Sequence, residues 1–270
     1  MDYELIDSGN QKKLEKFGDY ILERPCSQAV WLPTMPEWKK DAIFSRDEGN
    51  HWTYEKKLPK SWNMTINQMK FIVSPSEFGH VGVFPEHATI WTWMSKKIQN
   101  VPEAKILNLF GYTGGATAFL ANKKAKVCHV DASSPMIERA KENMALNHLE
   151  KAPVRWIVDD VTKFLKREVK RNNFYHGILL DPPSFGRGTQ GEVFKIENDI
   201  IPLLQLCASC LEKNPLFIIF SCHTPGFTNL VIEHLLKQTM PNGQIQVSEL
   251  TIDSKKSVSL PSGVWGLWQP

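Results

Sequence analysis

Four short stretches put glycines or carboxylates where an apolar run stops. Gly111-Tyr112-Thr113-Gly114-Gly115 follows ILNLF, Asp131 follows KVCHV, Asp159-Asp160 follows VRWIV, and Asp181-Pro182-Pro183-Ser184-Phe185 follows HGILL. Glycines in a turn that opens a helix let backbone N–H groups come close to a ligand, and the helix dipole faces it. A carboxylate ending the next strand can take both hydroxyls of a ribose. Asp131 stands 20 residues after Gly111, about the spacing such a unit needs. Each stretch has a plainer alternative. The turn could be an αβ connection without a ligand, Asp131 and Asp160 could cap the helices that follow, and the two prolines could make a rigid turn with no substrate contact. Together they favour one rim, because open α/β sheets bind ligands beyond the carboxyl ends of their strands.

The order of glycines selects among ligands. A dinucleotide site uses G-x-G-x-x-G so that a helix start meets a pyrophosphate; this turn reads G-x-x-G-G, with Tyr112 and Thr113 inside it. That fits a cofactor without phosphate, such as S-adenosylmethionine (SAM). On this reading Asp131 accepts from the ribose hydroxyls and Asp160 from the adenine amino group, with the Val161 N–H toward a ring nitrogen. Ala132 and Ser133 border the adenine, and the backbone of Phe110 to Gly115 holds the methionine half. A sulfonium methyl needs no acid to activate it, so positioning is a large part of the catalysis. The Asp181 carboxylate and the carbonyls beside Pro182 and Pro183 can accept from a substrate amino group, and Phe185 can stack on a base drawn out of its helix. Gly186-Arg187-Gly188 reads as a mobile loop able to close on substrate, with Arg187 meeting a phosphate or water.

The elements that must carry these residues alternate from residue 105 onward. Strands are predicted at 105–110, 126–131, 153–158, 175–181, 215–221, 244–252 and 264–268, and helices at 115–123, 134–147, 161–170, 197–213 and 226–238. This pattern predicts a Rossmann-like, doubly wound, mostly parallel sheet of seven strands. The last two strands have no helix between them, so the final strand is expected to be antiparallel. Residues 1–80 hold short apolar pieces (AVWLP, DAIFSR, HWTYEKKLP, WNMTI, MKFIVSP) broken by Pro, Gly and Asn, which predict a small β-rich module, with a short helix at 11–20 leading in. The domain boundary is therefore placed between 80 and 81, and a helix is expected to start near Pro85. Six of nine tryptophans precede residue 100 and could be a stacking surface or the core of the small module.

Charge adds little. The chain of 270 residues carries +3, and residues 1–100 balance 13 basic against 13 acidic side chains. One basic cluster, Lys163, Lys166, Arg167, Lys170 and Arg171, has helical spacing and reads first as a solvated face. No stretch is long and apolar enough to cross a bilayer, and no signal peptide is visible. Five cysteines without a disulfide framework point to the cytoplasm. Cys207 and Cys210 form a C-x-x-C pair in an apolar helical run and read as core, so no metal site is expected.

LNLFGYTGGAT (107–117), VDASSPMIERAKENMALN (130–147), the DD of IVDDVTKFL (157–165), ILLDPPSFGRG (178–188) and SLPSGVWGLW (259–268) resemble the class I SAM-dependent methyltransferases. More narrowly, residues 79–270 resemble the bacterial large-subunit ribosomal RNA methyltransferases that modify cytosine C5 or guanine N7. The resemblance implies RNA as substrate and partner, and leaves the oligomeric state open. GHVGVFPEH (79–87) resembles a segment that helps enclose the cofactor, with His87 where glutamine is common. Phe220-Ser221-Cys222-His223 stands where cytosine-C5 enzymes carry a cysteine that attacks C6; the alternative is a small residue at a crowded strand end. The family's N-terminal PUA domain has no counterpart in residues 1–80, which resembles a branch with a different module there. Methylation of a small molecule or another polymer, and a non-catalytic SAM- or RNA-binding module, are the competing readings.

Overall fold

Asn10 and Gln11 both take left-handed backbone angles, φ 51° and 61°, and form a two-residue turn whose twist matches that of its flanking strands. It joins β1 (Tyr3–Gly9) to β2 (Lys12–Phe17), and a second tight turn leads to β3 (Tyr20–Pro25). β4 (Ala42–Ser45) runs parallel to β3, and β5 (His51–Tyr54) completes a five-stranded sheet in order β1-β2-β3-β4-β5. β6 (Trp62–Ile66) and β7 (Met69–Val73) form a separate hairpin through Asn67 and Gln68. The structure is a computed structural model that describes residues 2–47, 49–188 and 191–270.

Two sequence expectations fail in this region. Residues 11–20 form β2 and its turn, not a helix. KKLEKF has helix-forming composition, but Glu15 is fully buried between Arg24 Nη2 at 2.5 Å and the Tyr3 hydroxyl at 2.9 Å. A carboxylate is buried only with such partners, and both lie on neighbouring strands. AVWLP forms no strand: Ala29 is buried, yet Val30 and Leu32 are 76% and 81% exposed.

From residue 105 strands and helices alternate as the apolar pattern requires. A 3-10 turn (Pro85–His87) precedes α1 (Ala88–Ile98). Then follow β8 (Lys105–Leu109), α2 (Gly115–Asn122), β9 (Lys126–Asp131), α3 (Ser134–Leu146), β10 (Val154–Val158), α4 (Val161–Lys170) and β11 (Gly177–Leu180). After a short hairpin, β12 (Phe185–Arg187) with β13 (Val193–Lys195), come α5 (Ile196–Ser209), β14 (Phe217–Cys222), α6 (Asn229–Thr239), β15 (Gln244–Ile252) and β16 (Leu260–Gln269). The sheet has seven strands in order β10-β9-β8-β11-β14-β16-β15, and β16 is antiparallel to β14. α5 stops four residues before its apolar pattern does, where Leu211 is drawn into a bridge with Tyr175.

Strand alternation supplies both faces of the sheet. Leu107, Leu109, Val130, Ile178 and Leu180 pack with Phe164 of α4, Leu203 of α5 and Ile232 of α6 into one core. Burial of each such side chain stabilises by about 1.5–3 kcal/mol. Helix α2 follows β8 and packs against α1 and α3, with Trp91 near Phe119.

The chain divides into two compact units. The first is Met1–Ala88 with Thr251–Ser262, and the second is Thr89–Leu250 with Gly263–Pro270. The first unit thus takes in residues 81–88 and a stretch between the last two strands that the sequence pattern assigns to the second. No helix of the described residues is long and apolar enough to cross a membrane.

Candidate functional site

Four adjacent parallel strands, β10, β9, β8 and β11, end side by side, so residues from Gly111 to Asp181, 20 to 70 positions apart in sequence, arrive at one rim. The turn after β8 carries strain: Phe110 and Tyr112 take φ 55° and 50°, and Gly114, at the N-cap of α2, takes 79°. Left-handed angles are unfavourable for aromatic residues, and neighbours enforce them here. The Gly111 N–H donates to the Val130 carbonyl at 3.0 Å, and the Gly114 N–H to the Gly111 carbonyl at 3.0 Å. From α3 the buried Asn143 donates to the Thr113 carbonyl at 2.9 Å. A Cβ on Gly111 would lie 2.4 Å from the His129 ring, and one on Gly114 2.8 Å from Ala140 Cβ. These glycines let the turn sit down on β9 and α3.

Asp131, at the end of β9, accepts from the Tyr112 N–H on one oxygen and from the Ser133 N–H on the other, each at 2.8 Å. A carboxylate has about four acceptor positions, so each oxygen keeps capacity. Burial raises the Asp131 pKa above the usual carboxylate value despite the two opposing N–H bonds. The charge is therefore under-satisfied where it stands, and a pair of ligand hydroxyls would complete it. Ala132 and Ser133, beside it, are half-buried.

Asp160 takes the capping role its position allows: one oxygen accepts from the Lys163 N–H at 2.8 Å and starts α4. Its second oxygen could accept from a ligand, and Val161 follows as the first residue of the helix, buried. Asp159 is engaged by Arg167, and its Oδ1 accepts from the Asp160 N–H. Asp181, after β11, accepts from the Ser221 hydroxyl at 2.7 Å and has His223 Nε2 at 3.5 Å. Pro182 is buried, Pro183 exposed, and Phe185 is 52% exposed. Phe185–Arg187 forms a strand paired with Val193–Lys195, so Gly186 and Arg187 are hairpin positions where the sequence suggested a mobile loop.

Cys222 is the last residue of β14, 1% exposed in the core beneath α4–α6, and burial raises its thiol pKa. Its neighbour Ser221 points the other way, to Asp181. A Cβ on Gly263 would come within 2.7 Å of the Cys222 carbonyl, so this strand end is crowded. His87 ends the 3-10 turn of the first unit, its ring 6.0 Å from Phe84. Cys207 and Cys210 are fully buried, and burial pushes the Cys210 thiol up to about 12. On α4, Lys163 pairs with Glu192 and Arg171 with Glu168.

Sequence reasoning missed a polar layer under the turn. Asn108 of β8 and His129 of β9 are partners in register. Asn108 donates to Thr117 Oγ1 at 2.9 Å, and that hydroxyl lies 2.9 Å from His129 Nδ1. His129 is fully buried, and its Nε2 lacks a well-aligned partner among the described residues. Burial pushes its pKa down to about 3 against a weaker pull from the Tyr112 backbone, so the ring is neutral. The signal was present: a polar residue facing inward in each of two apolar runs. Ser221 was missed as well, being one serine in the run FIIFSC.

Comparison with known proteins agrees with this geometry. The family described as S-adenosylmethionine-dependent methyltransferase matches residues 40–208. A solved structure of a SAM-dependent methyltransferase from Agrobacterium tumefaciens superposes with TM-score 0.96 at 37% identity, covering 100% of this chain and 91% of that one. A Streptococcus mutans structure shares the fold at TM-score 0.78 and 17% identity, over 99% of this chain and 75% of that one. Among curated relatives, the ribosomal RNA large subunit methyltransferase K/L of Pseudoalteromonas atlantica is 31% identical over 201 residues, 70% of this chain and 28% of its own length. That of Shewanella oneidensis is 28% identical over 190 residues, 70% of this chain and 26% of its own. The chain thus spans about a quarter of the length of these curated relatives.

Proposed function

The chain belongs to the S-adenosylmethionine-dependent methyltransferase family, and from that premise we propose that it methylates a base of ribosomal RNA. The observation that carries the cofactor half is the under-satisfied Asp131 carboxylate beside a strained turn at the carboxyl rim of the sheet. Asp131 binds the ribose hydroxyls, Asp160 and Val161 the adenine, Ala132 and Ser133 line it, and the backbone from Phe110 to Gly115 holds the amino-acid part. Bound SAM supplies an electrophilic methyl group on sulfur. The protein's task is then to bring a base nitrogen or carbon into line with it and to exclude competing geometries. Asp181, held by Ser221, accepts from the base's amino group together with the carbonyls at Pro182 and Pro183, and Phe185, exposed beyond them, stacks on a base of the RNA. His87 is assigned to the segment that helps enclose the cofactor.

The RNA half rests on the relatives' names. Between the two targets the family offers, the buried, protonated Cys222 supports a guanine nitrogen, which needs no covalent attack by a thiolate. Residues 1–80 are assigned to substrate recognition, supported by Tyr54, 51% exposed and stacked with Trp52 at 6.5 Å. The five free cysteines support a cytoplasmic setting. Mass mapping of ribosomal RNA from cells with and without the gene tests the reading. One methylated base should vanish with the gene and return with the wild-type protein but not with Asp181→Ala. Identical maps would overturn it.

A further inference from the structure

The hairpin that follows the Asp181-Pro182-Pro183 loop has two unlike faces. Its pairs are Phe185 with Lys195, Gly186 with Phe194 and Arg187 with Val193. Phe185, Arg187, Val193 and Lys195 are exposed, while Gly186 and Phe194 are half-buried. Phe194 packs on the cofactor turn, its ring 5.6 Å from Phe110. Gly186 lies against the proline loop, where a Cβ would meet Pro183 Cγ at 3.3 Å. The inner face is thus fixed to two parts of the rim, and the outer face is left to solvent.

That outer face joins an aromatic plane to two cations. The Arg187 guanidinium lies 5.9 Å from the centre of the Phe185 ring, and Lys195 is the cross-strand partner of the same residue. Cross-strand partners bring their Cβ atoms to about 5 Å. Neither cation has an acidic partner among the described residues. The basic cluster on α4 differs: Lys163, Arg167 and Arg171 are engaged by Glu192, Asp159 and Glu168. Base stacking on an aromatic with flanking cations is how proteins hold single strands, whereas a duplex hides its base faces.

We propose that the outer face of this hairpin grips unpaired RNA, a base lying on Phe185 while Arg187 and Lys195 hold phosphates on either side. The proposal rests on the RNA reading above and narrows it to an unpaired segment. Its test compares the full-length protein with Arg187→Ala/Lys195→Ala, with Phe185→Ala, and with Lys166→Ala/Lys170→Ala as control. Binding of labelled oligouridylate and of an RNA duplex of equal length is followed against salt, together with KM for deproteinised ribosomal RNA.

The hairpin double variant should bind the single strand at least about tenfold more weakly, and its log K against log salt slope should fall by about 1.4, two phosphates' worth. Phe185→Ala should weaken binding about fivefold or more with the slope kept. The α4 control should match wild type, and adenosylhomocysteine affinity should stay within twofold in all variants, which shows that they are folded. An unchanged slope and KM in the double variant, or duplex bound as tightly as single strand, would overturn the grip while leaving RNA methylation standing. Wild-type protein that transfers no methyl to any RNA would instead remove the reading beneath it.

Discussion

Two aspartates, one in each unit, show how unlike in use carboxylates of one type can be: Asp7 is buried and Asp131 half-buried. Asp7 is fully buried and accepts five hydrogen bonds: from the N–H groups of Ser8, Thr34 and Met35, the Trp38 indole and the Ser257 hydroxyl, at 2.7 to 3.2 Å. Burial pushes its pKa up, but the donors outweigh burial and hold it below the usual value. Asp131 has two donors, and burial wins. A carboxylate whose acceptor positions are filled by its own chain is a structural tie. One left short of donors on a rim can still accept from a ligand. The direction of the pKa separates the two.

The largest expected effect tests the open one. Asp131→Ala should lower adenosylhomocysteine affinity by about a hundredfold, the value of two charge-assisted hydrogen bonds, with the melting temperature unchanged or raised; calorimetry and thermal denaturation read both. Asp7→Ala should do the reverse. It strands buried N–H groups and an indole donor, so the first unit should lose about 3 kcal/mol in chemical denaturation, while isotherms for adenosylhomocysteine keep their shape. If the two variants exchanged phenotypes, the distinction would collapse.

Titration sharpens it. Asp7 has a lowered pKa in the folded state, so its stabilisation is full above the unfolded value and is lost as pH falls through the folded one. Asp131 has the opposite sign: ionised, it opposes folding, and that penalty is relieved as pH falls through its raised pKa. Cofactor affinity should drop over that same interval, because the protonated carboxyl loses acceptor capacity. His129 adds a limb at higher pH. Its folded pKa is about 3 against an unfolded value near 6.5, so only the unfolded chain gains the proton as pH falls between them. Stability should begin to decline near pH 6.5, by a few kcal/mol in all, and His129→Gln should flatten that limb in denaturation curves. The smallest effect is at Asp181: Ser221→Ala should lower kcat about fivefold, one hydrogen bond's worth, with KM for cofactor unmoved.

The second unit was readable because its parallel strands are buried on both faces and appear as uninterrupted apolar runs punctuated by glycine, proline and aspartate. Asp131 and Asp181 stood out for the same reason. What escaped depended on partners far along the chain. Glu15 looks like a helical surface residue until Arg24 and Tyr3 arrive beside it. Gly186 and Arg187 look like a loop because the strand opposite them, Val193–Lys195, is too short to show alternation. The glycines of the turn were legible but partly for another reason: Gly111 and Gly114 are required by His129 and Ala140 behind the turn, whatever lies in front of it.

The stretch Thr251–Ser262, counted with the first unit, has a consequence for how this protein is made. Asp7 receives one of its five donors from Ser257, 250 positions downstream. On a ribosome, β1 waits with that acceptor incomplete until 250 further positions have been threaded out. An acceptor made early is therefore completed by a donor made much later, and pairings of such range are slow to form.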